Sequence, residues 1–370
     1  MEYINLNAQY KRLKPQIDAN IQRVLDSSSF ILGDFVGEFE EELAKYVGVK
    51  HVVACSDGTS ALQLIYMAYG IGQGDAVFCP AMTFIASIEP ACMLGAIPVF
   101  CDIDEHYNIC AESLERQIER VISEGKYTPK AIVAVDFLGS PANYDSLEKI
   151  AYKYGLLLIE DAAQSMGASY HGKKCGSFGD IAATSFFPSK PLGCYGDGGA
   201  VFTNDDDIYR LLLSLRVHGK GKTKYDNIHI GLNSRLDSIQ AAVLLPKLAV
   251  LEEEIEKRQQ IAQKYDEAFG ERFIIPRIED DSICSYAQYV LCCRNEDERE
   301  ELQQRLKSAD IPTLRYYPNP LHLLPVFEGI DTYGENLERA EQYAKCSFGI
   351  PFSPYLTKDE IEHVIRNIIV

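Results

Sequence analysis

The chain has 370 residues, of which 46% are hydrophobic and 24% charged, a composition that excludes wholesale disorder and predicts a large packed core. Its 54 acidic residues outnumber its 36 basic ones, and the resulting net charge of −18 makes nucleic acid a poor partner. The eleven cysteines form no C-x-x-C pair, which argues against structural zinc and a disulfide framework, so we expect no metal site.

Neither end of the chain nor its apolar runs suggest export or membrane insertion. The first ten residues are polar and lack the basic and apolar regions of a signal peptide. No stretch approaches the roughly 18 uninterrupted apolar residues that a membrane span needs. We therefore expect a cytoplasmic protein with no membrane partner.

Strands and helices are predicted to alternate from residue 51 onward. Residues 1–50 are predicted to form an arm and an amphipathic helix over 38–46. The predicted strands are 51–56, 76–80, 98–102, 131–137, 156–160, 181–187 and 200–203. The predicted helices between them are 60–69, 84–94, 111–122 and 144–154. This alternation favours βαβ units in a mostly parallel sheet, with ligands bound outside the carboxyl ends of the strands.

The pattern changes beyond residue 203. A long helical run is predicted over 234–269, with an interruption at Pro246 and a charged stretch around residue 251. The remaining predicted elements are a strand over 286–292 and helices over 296–309, 336–346 and 358–368. We therefore expect an α/β protein with a large domain over 1–250, including the N-terminal arm, and a smaller α+β domain over 251–370.

A carboxylate and a lysine each follow a predicted strand. Asp161 ends the apolar run 156–160, and Lys190 follows the strand 181–187 about thirty residues later in the chain. An electron-sink cofactor such as pyridoxal phosphate needs both groups, because a carboxylate keeps its pyridine nitrogen protonated and a lysine amine holds its aldehyde as a Schiff base. Taken singly, a strand-end aspartate is as often a helix cap or metal ligand, and a lysine is usually a surface residue.

The segment Ser56-Asp-Gly-Thr-Ser-Ala61 joins a predicted strand to a predicted helix. Gly58 permits close approach of the backbone, and Thr59 adds a hydroxyl beside free helix N–H groups, so a phosphate fits there. An ordinary helix cap explains the same residues. Ser185 could add a phosphate contact, and Gln164 could reach the phenolic oxygen of the cofactor ring.

Five motifs together resemble the DegT/DnrJ/EryC1/StrS family of sugar-nucleotide aminotransferases. The resemblance extends from Phe30-Ile-Leu-Gly33 to Pro320-Leu-His322 and implies the pyridoxal-phosphate-dependent transferase fold of type I, which is that of aspartate aminotransferase. The motifs are Ser56-Asp-Gly-Thr-Ser-Ala-Leu62, Glu160-Asp-Ala-Ala-Gln-Ser165, Ser185-Phe-Phe-Pro-Ser-Lys190, Gly196-Asp-Gly-Gly199 and Gly231-Leu-Asn-Ser-Arg-Leu-Asp237.

The resemblance implies a role for each matching residue. Lys190 would hold the pyridoxal phosphate and carry the proton, and Asp161 would pair with the ring nitrogen. The other implied cofactor contacts are Gln164 to the ring oxygen, Gly58, Thr59 and Ser185 to the phosphate, Phe84 stacked on the ring, and Asn233 to the phosphate of a second subunit. The implied substrate-binding residues are Arg235, Tyr316 and Tyr317. A core position is nearly as compatible with the spacing of Phe84.

The resemblance also implies substrates and an assembly. The amino donor would be L-glutamate, and each active site would be shared between the two subunits of a homodimer. The acceptor would be a nucleotide-linked 3-keto sugar, such as a UDP-linked 2-acetamido-3-keto uronic acid for a bacterial surface polysaccharide such as O-antigen. The alternative acceptor is a dTDP-linked 3-keto-6-deoxyhexose or a 4-keto sugar. Tyr316 stands where this subgroup often has histidine, which leaves Arg235 and Arg315 as candidate cations for an anionic group.

Two other functions are compatible with such a chain. Dehydratases of the family carry histidine in place of the cofactor lysine, so Lys190 argues against that activity. A non-catalytic carbohydrate-binding or regulatory protein could use the same scaffold, but the complete set of cofactor residues argues against it.

Overall fold

Helices and strands alternate through most of the chain, which the computed structural model describes over residues 1–223, 225–330 and 336–369. The strands are β1 His51–Cys55, β2 Asp75–Pro80, β3 Ile97–Cys101, β4 Thr128–Val135, β5 Leu157–Asp161, β6 Ser169–Tyr170, β7 Lys173–Lys174, β8 Ile181–Ser185, β9 Gly199–Thr203, β10 Ser282–Ile283, β11 Tyr289–Cys292 and β12 Ser347–Ile350. The helices are α1 Leu6–Ser27, α2 Asp34–Val47, α3 Gly58–Ala68, α4 Glu89–Met93, α5 Ala111–Glu124, α6 Tyr144–Tyr154, α7 Asp206–Leu215, α8 Ser238–Leu248, α9 Leu251–Phe269, α10 Glu296–Ser308, α11 Glu338–Cys346 and α12 Lys358–Ile369. Short 3-10 turns cover Ile85–Ser87, Phe137–Gly139, Leu321–Leu323 and Pro325–Phe327.

A seven-stranded sheet in the order β1-β9-β8-β5-β4-β2-β3 lies at the centre. The strands from β8 to β3 run parallel, and β9 is antiparallel to both of its neighbours. Successive residues of β4 enter different cores, since Val133 packs in the core that contains α3 and Ile132 in the core that contains α5 and α6. Both faces of the sheet are therefore covered, which confirms the predicted α/β class and its mostly parallel sheet.

The helix before β5 has clear start and stop signals. The Asn143 side chain accepts a hydrogen bond of 3.0 Å from the Ser146 N–H at the beginning of α6. Gly155, with a φ of 66°, ends the helix in the left-handed conformation that glycine adopts readily. The chain then enters β5 almost at once, which places Asp161 at the carboxyl edge of the sheet.

The long helical run predicted over 234–269 consists of two helices, and the break does not lie at Pro246. Pro246 lies inside α8, and the chain breaks between Leu248 and Leu251. A proline in a helix deprives the carbonyl four residues earlier of its donor. Here that carbonyl belongs to Ala242, and the Asn20 side-chain amide donates to it at 3.2 Å. The prediction was wrong because the substitute donor comes from a distant helix.

Three other elements near the N-terminal half differ from prediction. The predicted arm contains the 22-residue helix α1, whose Leu13 and Ile17 pack on Val243 of α8. The helix predicted over 84–94 is broken into a 3-10 turn and the short α4, with Ile88 between them. Helix α7 was not predicted, although Asp205 caps it through hydrogen bonds from two backbone N–H groups.

The C-terminal part of the chain has a core of its own. Strands β11 and β12 pair antiparallel, and they pack with α9, α10 and α12. Helix α9 enters two cores, because Ile255 packs with α2 and α8 whereas Tyr265 packs in the C-terminal core. The boundary near residue 250 stays a prediction. None of the helices in the described ranges combines the length and apolar content that crossing a bilayer requires.

Candidate active site

A cavity of about 320 Å³ lies at the carboxyl ends of β1, β5 and β8. This is the edge of a parallel sheet at which ligands bind. Nine of the eleven predicted site residues line the cavity, namely Gly58, Thr59, Phe84, Asp161, Gln164, Ser185, Lys190, Tyr316 and Tyr317. The fold thus brings together residues that are up to about 260 positions apart in the chain.

The Asp161 carboxylate is buried at the end of β5. Its Oδ2 accepts a hydrogen bond of 2.7 Å from the Ser87 hydroxyl, and its Oδ1 accepts one of 3.1 Å from the Ala163 N–H. Burial raises the pKa of Asp161, while these hydrogen bonds and the positive charge of Lys190 oppose the shift. A carboxylate with two donors still has lone pairs for another, so it can receive an N–H from a ligand.

Lys190 lies in the same cavity as Asp161. Burial lowers the pKa of the Lys190 ammonium to about 8, although the nearby Asp161 carboxylate acts in the opposite direction. A lysine in this state has an appreciable fraction of neutral amine near neutral pH, and the neutral amine is the nucleophilic form.

The loop that carries Lys190 is anchored by the side chain of Lys247, which is buried. The Lys247 ammonium donates a hydrogen bond of 2.5 Å to the Gly193 carbonyl and lies 4.2 Å from the centre of the Tyr195 ring. The Lys190 N–H in turn donates to the Phe187 carbonyl at 2.9 Å. These contacts fix the backbone on both sides of the lysine, which positions its amine.

The N-terminus of α3 meets the end of β8 at one side of the cavity. A side chain at Gly58 would place its Cβ only 2.7 Å from the Ser185 Cβ, so glycine is needed for this approach. The Asp57 carboxylate accepts hydrogen bonds from the N–H and hydroxyl of Ser60 at 2.7 and 2.9 Å. The N–H groups of Gly58 and Thr59, at the first turn, are left for a ligand.

Gln164 and Phe84 lie on other walls of the cavity. The Gln164 Oε1 accepts a hydrogen bond of 2.7 Å from the Leu138 N–H, which leaves its Nε2 as a donor near the Tyr317 hydroxyl at 3.5 Å. The Phe84 side chain is 53% exposed and its ring centre lies 5.7 Å from that of Tyr317. Phe84 is therefore not a core residue, and an exposed ring in a cavity can stack on a flat ligand.

Tyr316 lines the cavity, whereas the neighbouring Arg315 does not. The Tyr316 ring packs near Tyr3, with ring centres 6.3 Å apart, and a Cβ at Gly349 would lie 3.1 Å from it. The Arg315 guanidinium donates to the carbonyls of Pro318 and Ala344. Arg315 therefore does not line the cavity in which it was a candidate cation for an anionic group.

Asn233 and Arg235 lie outside the cavity of their own subunit. They hydrogen-bond to each other, with the Arg235 Nη2 donating to the Asn233 Oδ1 at 2.5 Å. Asn233 is exposed. The predicted contact of Asn233 is with a second subunit, so it stays a prediction, as does the role of Arg235.

Sequence reasoning missed Ser87 and Gln288, which also line the cavity. Ser87 lies in a segment predicted to be part of a helix, and no local pattern links it to Asp161. Gln288 lies in a predicted strand, where nothing marks it as a ligand. The polar residues Asp57 and Asp197 complete the charged part of the lining.

A buried carboxyl pair behind the strand end was also missed. Asp136 accepts hydrogen bonds from Ser165 and Tyr144 at 2.6 and 2.7 Å, and Glu160 accepts from the N–H groups of Gly176 and Phe178 at 2.6 and 2.7 Å. Burial raises the pKa of both carboxyl groups. The hydrogen bonds of Glu160, directly before Asp161, hold the end of β5 in place.

The residues of the cavity fit pyridoxal phosphate. The helix N-terminus at Gly58 and the Ser185 hydroxyl suit its phosphate, and the Asp161 carboxylate suits its ring nitrogen. The Lys190 amine lies in the cavity that would hold the aldehyde of pyridoxal phosphate. The close approach at Gly58 leaves no space for a larger residue where the phosphate would be held.

Comparisons with known proteins agree with this geometry. The model of the DegT/DnrJ/EryC1/StrS aminotransferase family matches residues 11–369. The UDP-2-acetamido-2-deoxy-3-oxo-D-glucuronate aminotransferase of Pseudomonas aeruginosa is 44% identical over 366 residues, which cover 98% of each chain. The dTDP-3-amino-3,4,6-trideoxy-alpha-D-glucose transaminase of Streptomyces venezuelae is 36% identical over 369 residues, which cover 98% of this chain and 94% of the relative.

A solved structure gives the same result. The crystal structure of a DegT DnrJ EryC1 StrS aminotransferase from Brucella abortus has a TM-score of 0.97 and 44% sequence identity. The match covers 100% of this chain and 98% of that one. The predicted fold of type I is thereby confirmed. The chain belongs to the DegT/DnrJ/EryC1/StrS aminotransferase family.

Proposed function

We propose that the protein uses pyridoxal phosphate to move the amino group of L-glutamate to the 3-keto position of a UDP-linked 2-acetamido sugar or uronic acid. The observation that carries this proposal is the meeting of Lys190 and Asp161 in one cavity beside the N-terminus of α3. The full-length similarity to the Pseudomonas aeruginosa enzyme supports the choice of acceptor.

Bound pyridoxal phosphate supplies an aldehyde that accepts amino groups and a ring that withdraws electrons from the reacting carbon. The chain supplies the groups that hold and polarise it. Asp161 would keep a positive charge on the ring nitrogen, because a buried carboxylate stabilises a cation at close range. Phe84 would stack on the ring, and the Gln164 Nε2, left as a donor by the contact of its Oε1 with Leu138, would donate to the ring oxygen.

Lys190 moves the proton. In its neutral form the amine accepts a proton from the carbon that loses it, and in its charged form it returns the proton to the carbon that gains it. A pKa of about 8 for Lys190 makes both forms accessible near neutral pH. The loop contacts of Lys247 keep the amine in place while the proton moves.

The described lining of the cavity offers little positive charge for binding anionic substrates. Lys190 is the one cation among the described residues that line it, beside Asp57, Asp161 and Asp197. A diphosphate or uronate needs positive or hydrogen-bonding partners, since the protein as a whole is strongly negative. We propose that Tyr316 and Tyr317 provide hydroxyl contacts and that further partners come from a second subunit.

A homodimer with shared sites would provide these partners. The exposed Asn233 accepts a hydrogen bond from Arg235, and neither residue lines the cavity of its own subunit. Apolar side chains are exposed nearby on the same surface segment, including Ile230, which is 89% exposed. The side chain of Phe30 is also exposed. Its backbone carbonyl accepts a hydrogen bond of 2.9 Å from the Ser238 N–H at the start of α8. Such a patch suits association with a second copy.

Hybrid dimers test the shared site. Lys190→Ala and Asn233→Ala are each expected to be inactive, because each removes one component from both sites of its own homodimer. Co-expression with two affinity tags isolates the hybrid, in which one site has both components intact. We expect about half of the wild-type turnover per hybrid dimer. Isolated hybrids that remain inactive would contradict the shared site.

A panel of acceptors tests the substrate. The purified protein is loaded with glutamate, freed of it by gel filtration, and offered UDP- and dTDP-linked 3-keto and 4-keto sugars. We expect amino-sugar product, detected by mass spectrometry, with the UDP-linked 2-acetamido 3-keto sugars first. Faster turnover of a dTDP-linked 3-keto-6-deoxyhexose would support the alternative, which the similarity to the Streptomyces venezuelae enzyme keeps open.

We place this reaction in the cytoplasm, as a step towards a bacterial surface polysaccharide such as O-antigen. All eleven cysteines are free thiols in the structure, which suits a reducing compartment. The acceptor named for the Pseudomonas aeruginosa relative is the main support for this biosynthetic setting.

A further inference from the structure

Gln288 presents an unused hydrogen-bond acceptor in the wall of the cavity. The residue lies directly before β11, lines the cavity and is only 5% exposed. Its side-chain Oε1 is buried and has no hydrogen-bond partner among the residues that the structure describes. A buried polar atom without a partner costs about 1–3 kcal/mol, so such atoms are rare unless a ligand or water satisfies them.

The backbone before Gln288 is held by hydrogen bonds to the turn at residues 138–139. The N–H groups of Ser285 and Ala287 donate to the carbonyls of Gly139 and Leu138, each at 2.9 Å. The Ser285 hydroxyl also donates to the Gln164 carbonyl at 2.8 Å. Gly139, with a φ of 93°, has no room for a Cβ at this contact. Gln288 is therefore held on a rigid segment of the cavity wall.

The same turn contacts the side chain of Gln164 and the backbone that precedes Gln288. Leu138 donates its N–H to the Gln164 Oε1, so Gln164 has its acceptor satisfied by the protein. Gln288 has no equivalent donor within the described residues. The difference indicates that a ligand supplies the missing N–H or O–H to Gln288.

The chemistry of the proposed substrates narrows the choice. Apart from its reacting amine, glutamate offers only carboxylates, which accept hydrogen bonds and cannot donate them at neutral pH. The ring N–H of pyridoxal phosphate is already assigned to Asp161. The sugar is left as the source of a donor. Its 2-acetamido group is a secondary amide, whose N–H and carbonyl match the acceptor and donor of a glutamine side chain.

We propose that Gln288 is a specificity-determining residue that accepts a hydrogen bond from the 2-acetamido N–H of the nucleotide sugar. This inference rests on the proposed function, since it assumes a sugar nucleotide in the cavity. It adds a named residue that distinguishes acetamido sugars from those without a hydrogen-bond donor at the same carbon.

Two unreactive ligands test the inference by direct binding. UDP-N-acetylglucosamine and UDP-2-deoxyglucose differ at the carbon in question, where only the first has a donor, and calorimetry measures their dissociation constants on the cofactor-loaded protein. The variant Gln288→Met removes the acceptor at nearly constant volume. We expect it to weaken the binding of UDP-N-acetylglucosamine by about 3- to 10-fold, the effect of one neutral hydrogen bond, and that of UDP-2-deoxyglucose by less than about 2-fold.

Two further measurements exclude a structural role. Replacing an unpartnered buried acceptor by an apolar group of similar shape should leave the melting temperature unchanged or raise it. The rate of the reaction with glutamate alone should also be unchanged, because glutamate makes no contact with Gln288 in this proposal. The matched control is Gln263→Met on the exposed face of α9, which should alter neither ligand.

The outcomes separate this inference from the proposed function. If wild-type protein binds both ligands and Gln288→Met weakens neither, or weakens both equally, the role of Gln288 in acetamido recognition is wrong. A fall of several degrees in melting temperature, or a loss of the glutamate reaction, would contradict it as well. A wild-type protein that binds neither ligand would contradict the proposed substrate class and this inference together.

Discussion

Replacing Lys190 by alanine should reduce amino transfer by at least about 10³-fold, because one substitution removes both the covalent anchor and the group that moves the proton. The fold should persist, since within the described residues the Lys190 side chain makes no hydrogen bond comparable to that of Lys247 with Gly193. Two measurements check the result. Single-turnover kinetics with glutamate give the rate, and borohydride reduction followed by peptide mass spectrometry locates the covalently attached cofactor.

The wild-type protein should carry the reduced cofactor on the peptide that contains Lys190, and the variant should carry none. Lys149→Ala, at an exposed position of α6, serves as the control for a lost surface amine and should behave as wild type. A Lys190→Ala protein that still transaminates at a tenth of the normal rate, or that carries the cofactor on another lysine, would refute the assignment.

Replacing Asp161 by asparagine should slow the proton transfer by about 10²- to 10³-fold, the effect of removing one electrostatic partner from a buried site. The substitution preserves the shape and leaves the Ser87 hydroxyl and Ala163 N–H close by. We therefore expect normal folding and bound cofactor, with the loss in the rate of the glutamate reaction. The same single-turnover assay measures it, and Asp207→Asn on the exposed surface of α7 is the control.

The Asp161→Asn variant also allows a test of pH dependence in the cofactor-free protein. In the cofactor-free protein, Lys190 should react with acetic anhydride half-maximally near pH 8, since burial lowers its pKa to about that value. The Asp161 carboxylate raises the pKa of Lys190, so Asp161→Asn should shift the labelling midpoint to lower pH. Mass spectrometry of the Lys190 peptide gives both midpoints. An unchanged or higher midpoint in the variant would mean that the two groups do not interact.

The part of the site that could be predicted consists of residues with strong local signals. Asp161 ends an apolar strand, Gly58 opens a helix after another strand, and Lys190 follows a third. Because the carboxyl ends of these strands meet at one edge of the sheet, local patterns were sufficient to bring the residues together. The predicted α/β order was correct for the same reason.

What could not be predicted depends on contacts between distant segments. Gln288 reaches the cavity because residues 285–287 dock on the turn at 138–139, which no local pattern encodes. Ser87 reaches Asp161 only because the predicted helix over 84–94 is broken in the folded chain. Pro246 stays inside a helix because Asn20, more than two hundred residues earlier, replaces the missing donor. Such compensation is visible only in three dimensions.

The packing of helix α9 affects how ligands can reach the Lys190 amine. The helix is continuous and is built into two cores, with Ile255 at one end and Tyr265 towards the other. Because α9 packs in both cores, a rotation of the C-terminal core about residue 250 would have to break the contacts of Ile255 with α2 and α8. We therefore expect ligands to enter past the exposed rings of Phe84 and Phe187, which line the cavity. A bulkier side chain in place of Phe187 would narrow this route while leaving the residues proposed to hold the cofactor unchanged.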